Sequence, residues 1–445
     1  MKKPELLSPA GTLKNQRYAF AFGADAVYAG LPRYSLRVRN NDFKLDNLEI
    51  GINEAHAMNK QFFVAVNLMP HAAKLKTFVK DMTPVIAMKP DAFIMSDPGL
   101  IMLVREKWPE MDVHLSVQAN TVNAAAVKFW EKQGLTRIIL SRELSLDEIE
   151  EIRQQCPDIE LEVFVHGALC IAYSGRCLLS GYFNHRDANQ GSCTNTCRWK
   201  YDIKKGEPEL TEPTEQVIDL NKFNNLSPNA NFERHPEADK VYMLEEENRP
   251  GELMPVFEDE HGTYIMNSKD LRAVEHVQKL VEIGIDCLKI EGRTKSHYYA
   301  ARTAQVYRQA IDDAVAGREF NPALMGELDS LANRGYTDGF YQRHHSEELQ
   351  TYHKNASESP KQKFVGEVIG RDEKTGKAIV AVKNHFEVGD SLELLTPTGS
   401  HFFKLTEMED QYGHKREVAP GSGYEMLIDL PVENSEKGLI TQVLA

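Results

Sequence analysis

The sequence contains no long apolar run and none of the short motifs that define several large enzyme classes. No stretch approaches the about 20 consecutive apolar residues that a transmembrane helix needs. The first residues show no apolar signal-peptide core either, so we expect a cytoplasmic protein. No G-x-G-x-x-G motif follows the first predicted strand, which argues against a dinucleotide-binding fold. The G-x-S-x-G and H-E-x-x-H motifs of common hydrolases are also absent.

Basic residues are too few to coat a nucleic acid. The 445 residues include 52 Lys and Arg against 66 Asp and Glu, a net charge of −14. This balance argues against a protein that coats nucleic acid through a generally basic surface. A local basic patch is nevertheless enough to bind RNA phosphates. Two such runs occur, one between Arg33 and Arg39 and one between Arg198 and Lys205. Solvated surface charge explains these runs equally well.

Cysteine is scarce, and most of it is in one place. Of six cysteines, four fall within 28 residues, whereas Cys156 and Cys287 stand alone in apolar surroundings. Four thiolates are the ligand set of a structural zinc or an iron–sulfur cluster. The spacing C-x6-C-x15-C-x3-C matches neither zinc ribbons nor bacterial ferredoxins, so both stay open. Flanking glycines let backbone amides approach sulfur, which favours iron–sulfur. The clustered residues are Cys170, Cys177, Cys193 and Cys197.

Short strand-like runs alternate with amphipathic helical stretches along the first three quarters of the chain. This alternation predicts βα repeats and a parallel sheet. Several helical stretches start at a capping residue, at Thr12, Asp97 and Ser145. Eight strands predict a TIM-like (β/α)8 barrel. The predicted strands are Glu5–Leu7, Ala26–Ala29, Phe62–Val66, Ala92–Met95, Val113–Ser116, Arg137–Leu140, Glu162–Val165 and Cys287–Ile290.

The chain divides into two predicted domains. We expect residues 1–340 to form the barrel, interrupted after the seventh strand by an insertion, 167–266, that carries the cysteine cluster. A helix over Lys269–Ile283 would then restore the repeat. Residues 341–363 are a polar linker, and six short strands over 364–445 predict a small β-barrel. Loops after the strands build barrel active sites, so a metal in the insertion would lie over the catalytic face.

Polar residues follow most of the predicted barrel strands. At the carboxyl ends of the strands their side chains would converge on one pocket. Arginines there could hold a carboxylate by paired hydrogen bonds, and a histidine could transfer a proton. Structural ion pairs and a buried, hydrogen-bonded histidine are the alternatives. The candidate substrate-binding residues are Arg37, Asn67, Gln118, Arg142 and Arg293, and the candidate catalytic residues are His166 and Glu291.

The run Glu162–Ser180, which contains the first two clustered cysteines, resembles the signature of the collagenase-like U-type peptidase family. The resemblance extends through Leu6–Gly11, Gly23–Tyr28, Ser116–Ala119 and Lys289–Arg293. It covers nearly the whole chain, including the C-terminal domain. The resemblance therefore bears on both predicted domains.

The better-understood members of this family imply hydroxylation and not peptide cleavage. The runs Arg33–Asn40 and Asn184–Trp199 are most similar to a branch associated with 5-hydroxyuridine formation at the wobble position of tRNA. A sister branch is associated with hydroxylation of an rRNA cytidine. Other members hydroxylate ubiquinone precursors without oxygen and carry [4Fe–4S] clusters. Prephenate is the implied hydroxyl source.

The resemblance thus implies an iron–sulfur tRNA hydroxylase with tRNA and prephenate as its partners. Cys170, Cys177 and Cys193 would be cluster ligands, and Cys197 is our choice for the fourth. A collagenase-like peptidase and a zinc-stabilised RNA-binding module are the alternatives. A homo-oligomer and a separate electron-donor protein are both compatible with the sequence.

Overall fold

The computed structural model describes residues 2–36, 41–169, 269–333, 335–342 and 361–444, and the backbone of four short strands between residues 242 and 263. An α/β part extends to residue 342, and an all-β part begins at residue 361. None of the helices in these ranges combines the length and the apolar character that a membrane span requires.

The α/β part alternates strands with helices, as the apolar pattern predicts. Its strands are β1 Glu5–Pro9, β2 Ala26–Gly30, β3 Gln61–Val66, β4 Ala92–Met95, β5 Val113–Leu115, β6 Arg137–Ile139, β7 Glu160–Ala168, β8 Tyr242–Glu245, β9 Leu253–Val256, β10 Glu258–Asp259, β11 Gly262–Thr263, β12 Asp270–Arg272, β13 Cys287–Ile290 and β14 Tyr336–Thr337. Its helices are α1 Leu13–Ala21, α2 Leu45–Ala57, α3 Ala72–Ala87, α4 Pro98–Lys107, α5 Ala124–Lys132, α6 Leu146–Gln155, α7 Val277–Ile283, α8 His297–Val315 and α9 Ala323–Asp329.

Strands β1 to β7 and β13 form a closed parallel barrel. The first seven pair in chain order, and β13 pairs in parallel with both β7 and β1. Closure satisfies the hydrogen-bonding edges of all eight strands. The predicted fold class, a TIM-like barrel followed by an all-β domain, is therefore confirmed.

The helix starts follow the capping rules. The side chains of Thr12 and Asp97 accept hydrogen bonds from backbone N–H groups in the first turns of α1 and α4. Ser145 forms a reciprocal capping box with Glu148 at the start of α6. All three predicted caps are confirmed.

The predicted helix over Lys269–Ile283 is wrong in its first half. Residues Asp270–Arg272 form β12, which pairs antiparallel with the last residues of β7. A 3-10 turn, Val274–His276, then leads into α7. Because β7 has nine residues and extends to Ala168, its end offers unpaired backbone groups, and β12 satisfies them.

The all-β part is an antiparallel domain. Eight of its strands form one sheet in the order β19-β18-β24-β15-β16-β23-β20-β21, and β17 pairs with β22. All six predicted strands are present, and four short ones are added around the turns. The strands are β15 Gln362–Arg371, β16 Ala378–Val382, β17 Phe386–Glu387, β18 Ser391–Thr396, β19 Gly399–Lys404, β20 Met408–Asp410, β21 Lys415–Arg416, β22 Val418–Ala419, β23 Glu425–Ile428 and β24 Leu439–Val443.

A buried ion pair joins the two parts. Arg302, in α8, donates from Nη2 to both carboxylate oxygens of Glu393, in β18, at 2.7 Å each. The two side chains are 1% and 3% exposed. Gln362 and Thr441 also donate to this carboxylate, at 2.6 and 3.3 Å. Burial alone would raise the pKa of Glu393, but the charge and hydrogen bonds of Arg302 hold that pKa below its ordinary value.

We expect Glu393→Gln to lower the free energy of unfolding by about 3–5 kcal/mol, because Arg302 would stay buried with only the longer, partly exposed contact to Glu327 as a counter-charge. Denaturant titration followed by circular dichroism measures this loss. The control is Glu54→Gln, which breaks a bidentate pair with Arg17 at the surface and should cost under about 1 kcal/mol. Equal losses in the two variants would contradict the prediction.

The effect of Glu393 should also depend on pH. Its folded-state pKa is depressed, so its contribution is fully present above the unfolded-state pKa of about 4.3 and is lost as the pH falls through the folded-state value. The stability difference between wild type and Glu393→Gln should therefore narrow in acid.

Candidate active site

Two of the predicted site residues, Arg142 and Glu291, lie against each other at the carboxyl ends of β6 and β13. Arg142 Nη2 is 3.5 Å from Glu291 Oε2, and the side chains are 12% and 21% exposed. Only β7 separates their strands in the barrel. This pair is the centre of the candidate active site.

The guanidinium of Arg142 is held on one face by an aromatic ring and keeps one buried donor without a partner among the described residues. Its Cζ lies 3.8 Å from the centre of the Phe164 ring, and Nη1 donates to the Ala168 carbonyl oxygen at 3.3 Å. Its Nε is buried and has no hydrogen-bond partner in the described part of the chain. A buried donor without a partner is costly, and Nε and Nη2 together form an edge that can bind a carboxylate by two parallel hydrogen bonds. Arg142 therefore offers a carboxylate site.

Two further polar residues, Tyr28 and Lys289, lie one layer deeper and form a polar cluster with Arg142 and Glu291. Neither of them is among the predicted site residues. Tyr28 Oη donates to the Ile290 carbonyl oxygen at 3.0 Å and lies 3.4 Å from Glu291 Oε2. Lys289 Nζ lies 4.4 Å from the centre of the Tyr28 ring and donates to Glu162 Oε1 at 2.7 Å. Burial, and next the charge of Glu291, raise the pKa of Tyr28 well above its ordinary value. The phenol therefore stays protonated and acts as a donor.

Close packing of two strand ends positions Glu291. Its backbone N–H donates to the His166 carbonyl oxygen at 2.8 Å, and its carbonyl oxygen accepts from Tyr299 Oη at 2.8 Å. Gly167 has a φ of +108°, and a Cβ there would lie 2.5 Å from the Glu291 carbonyl oxygen. Any side chain at position 167 would therefore displace the segment that carries Glu291.

Arg293 supports the loop that follows β2. Its Nη2 donates to the Leu36 carbonyl oxygen at 2.6 Å, and its Nη1 donates to Ser35 Oγ at 3.5 Å. Gly30 makes room for this contact, because a Cβ there would lie 2.4 Å from Arg293 Nη1. The predicted residue Arg37 lies outside the described residues.

Asn67 and Gln118 meet at Ser116, after β3 and β5. Asn67 Nδ2 and the backbone N–H of Gln118 each donate to Ser116 Oγ at 3.4 Å. Asn67 Oδ1 accepts from the backbone N–H of Leu36 at 3.1 Å. Asn67 thus holds the same loop as Arg293, whereas the side chain of Gln118 is half-buried.

His166 is enclosed by aromatic side chains. Its ring centre lies 5.5–5.8 Å from those of Tyr299, Tyr307 and Tyr336, and its Nδ1 is 3.3 Å from Tyr307 Oη. Burial is the main cause that lowers the pKa of His166 to about 3. A neutral ring with this pKa is poorly matched to proton transfer near neutral pH. Of the two predicted catalytic residues, only Glu291 contacts Arg142.

The two cysteines in the described ranges are not activated nucleophiles. Both Cys156 and Cys287 are buried, and burial raises the pKa of each thiol. The reactive thiolate form is therefore disfavoured in both. The four predicted ligands, Cys170, Cys177, Cys193 and Cys197, lie outside the described residues.

One other group of potential metal ligands occurs within the described ranges, formed by Glu275, His276 and Asp338, whose ligand atoms lie within 4.8 Å of one another. His276 Nε2 is 3.2 Å from Asp338 Oδ2 and 3.8 Å from Glu275 Oε1. Contacts within the group account for this arrangement without a metal.

Comparison with known proteins defines the class of the chain. The model of peptidase family U32 matches residues 11–351, and the model of the peptidase family U32 C-terminal domain matches residues 360–441. Together they cover nearly the whole chain. The chain belongs to the U32 peptidase family.

Several similar proteins are named for the hydroxylation of RNA. The chain is 61% identical to tRNA hydroxylation protein P of Escherichia coli, over 97% of this chain and 94% of that protein. It is 59% identical to the protein of the same name from Haemophilus influenzae, over 96% and 94% of the two chains. It is also 28% identical to an rRNA 5-hydroxycytidine synthase of Escherichia coli, over 96% of this chain and 57% of that enzyme.

We expect His166→Gln to change how stability depends on pH. The unfolded chain protonates His166 below about pH 6.5, whereas the folded chain keeps it neutral down to about pH 3. This difference destabilises the folded wild type as the pH falls between these values, by up to about 1.4 kcal/mol per pH unit. The free energy of unfolding of the variant, relative to wild type, should therefore improve in acid. Denaturant titrations at a series of pH values measure this, and a difference that does not vary with pH would refute it.

Proposed function

We propose that this protein is a tRNA-modifying hydroxylase that forms 5-hydroxyuridine at the wobble uridine. It depends on an iron–sulfur cluster and works without molecular oxygen, with prephenate as the hydroxyl source. The observation that carries the proposal is the 61% identity with tRNA hydroxylation protein P over 97% of the chain. The polar cluster at the barrel mouth supports it, because it combines a carboxylate-binding edge with a candidate acid–base residue.

Arg142 is the proposed anchor for prephenate. Prephenate carries two carboxylates, and the Nε and Nη2 edge of Arg142 can receive one of them. Phe164 lies against the guanidinium face and keeps this edge in place. In this proposal Arg293 and Asn67 act indirectly, since both hold the loop that ends at Leu36.

Glu291 is the proposed proton-transfer residue. Its carboxylate is partly exposed and lies between Arg142 Nη2 and Tyr28 Oη, at 3.5 and 3.4 Å. These two groups hold the carboxylate at its Oε2 atom. His166, which is buried and neutral, contributes through its backbone, because its carbonyl oxygen accepts the hydrogen bond from the Glu291 N–H.

The proposed cofactor is a [4Fe–4S] cluster. Ala168, whose carbonyl oxygen accepts from Arg142, precedes Cys170 by two residues in the sequence. A cluster held there would supply the electron transfer that a hydroxylation requires. Four thiolates also satisfy zinc, which is the alternative metal. The proposed ligands are Cys170, Cys177, Cys193 and Cys197.

Nucleoside mass spectrometry of total tRNA tests the proposal. A deletion strain grown without oxygen should lose 5-hydroxyuridine and its derivatives. Wild-type protein should restore them, whereas Cys170→Ser should not, because the cluster would lack a ligand. Cys156→Ser, at a buried cysteine outside the proposed ligand set, is the matched control and should restore them. An unchanged tRNA profile in the deletion strain would contradict the proposal and favour the peptidase that the family name suggests.

We expect Arg142→Lys to raise the KM for prephenate by about tenfold or more, because an ammonium group cannot form two parallel hydrogen bonds with a carboxylate. The kcat should change less. Assays of tRNA hydroxylation over a range of prephenate concentrations separate the two. Arg105→Lys is the control, since within the described ranges Arg105 donates to backbone carbonyl oxygens away from the mouth, those of Pro109, Met111 and Gly134. A KM for prephenate equal to that of wild type would show that Arg142 does not bind prephenate.

A further inference from the structure

Two lysines from separate parts of the chain share one buried carboxylate at the boundary between the barrel and the β domain. Lys14 Nζ lies 2.5 Å and Lys383 Nζ 3.5 Å from Glu367 Oε2. Glu367 is 8% exposed, whereas Lys14 and Lys383 are 45% and 35% exposed. We call these three residues and the neighbouring His297 the junction cluster. Its two ammonium groups are held at their inner side and keep an outer side in solvent.

The junction cluster lies at the rim of the barrel mouth. Lys14 is in the first turn of α1, directly after the carboxyl end of β1. Asn15 Nδ2 donates to the Lys295 carbonyl oxygen at 2.9 Å, which ties this turn to the loop between β13 and α8. That loop carries Glu291. The lysines and the candidate active site are therefore on the same face of the barrel.

The junction cluster has a surplus of positive charge. His297 Nε2 is 3.6 Å from Glu367 Oε2, and its ring packs against Tyr18 and Phe364. Burial and then the charge of Lys14 lower the pKa of His297 to about 4, against the opposing effect of Glu367. His297 is therefore neutral near pH 7. Two ammonium groups face one carboxylate, which leaves one positive charge uncompensated within the cluster.

We propose that Lys14 and Lys383 bind a backbone phosphate of the RNA substrate at this rim. The inference rests on the proposed function and adds to it the place where the tRNA backbone is held. An RNA that inserts a base into the barrel mouth must bring its neighbouring phosphates to the rim. Each ammonium group has three N–H donors and uses part of them on Glu367, so donors remain for phosphate oxygens. A chain of net charge −14 needs such a local cationic site to hold a polyanion.

Fluorescence anisotropy with labelled tRNA, measured over a series of salt concentrations, tests the site. Lys14→Gln and Lys383→Gln should each weaken binding and reduce the slope of log affinity against log salt by up to about 1, because one phosphate contact is lost. The double variant should bind about tenfold more weakly at low salt. Lys374→Gln, at an exposed lysine in a turn of the same β domain, is the control and should bind as wild type does.

Glu367→Gln separates phosphate binding from a purely structural role. This variant removes the ion pairs of both lysines but keeps a side-chain oxygen for the hydrogen bond from Tyr18 Oη. If the lysines bind phosphate, the variant should bind tRNA as tightly as wild type or more tightly. If they only hold the domains together, it should weaken binding as the lysine variants do, and the proposal would be overturned.

Two further outcomes keep this inference distinct from the proposed function. Lysine variants that bind tRNA with the affinity and salt slope of wild type would overturn the docking site and leave the hydroxylase proposal intact. A wild-type protein that binds no tRNA would overturn both. The anisotropy signal needs no prephenate and no turnover, so it reports binding alone.

Discussion

The candidate active site depends on the closure of the barrel by β13. Inside the barrel, Lys289 donates to Glu162, and Arg137 reaches across from β6 to Glu5 on β1 at 2.7 Å while also contacting Glu162 at 3.4 Å. Buried charges are tolerated only when they are paired, and a shift of one residue would turn Lys289 away from its partner. The ion-pair network therefore selects one register for β13. That register places Glu291, two residues further on, beside Arg142.

Local sequence patterns were enough to predict the barrel, because strand periodicity and helix caps are properties of neighbouring residues. They were not enough for β12, whose sequence also fits the start of a helix and which becomes a strand because the long β7 offers an edge. The rule that barrel sites form from residues following the strands does not reach Tyr28 and Lys289. Both lie within strands, and a lysine between buried apolar neighbours was a usable signal, because lysine is rarely buried without a partner.

The roles of single site residues depend on contacts that the sequence does not contain. Phe164 lies against Arg142 and Lys289. If side chains alternated strictly along β7, His166 would lie on the same side of the sheet as Phe164. However, the pairing of β7 with β13 shifts between Lys289 and Ile290, so that Ile290 pairs with His166. Such an irregularity re-aims the following side chain, and His166 packs among tyrosines. Arg293 likewise follows a strand as Arg142 does, yet it is used to hold Leu36.

Two of the polar contacts between the β domain and the barrel have different consequences. The Arg302–Glu393 pair is almost completely buried and satisfied, so it contributes attachment and nothing that a ligand could reach. Glu367, by contrast, is itself buried but lies between two partly exposed lysines, whose ammonium groups also face solvent. Since Lys383 belongs to the β domain, that domain supplies part of the rim. In the proposed docking site the β domain therefore contributes attachment through Arg302 and Glu393, and a cation through Lys383.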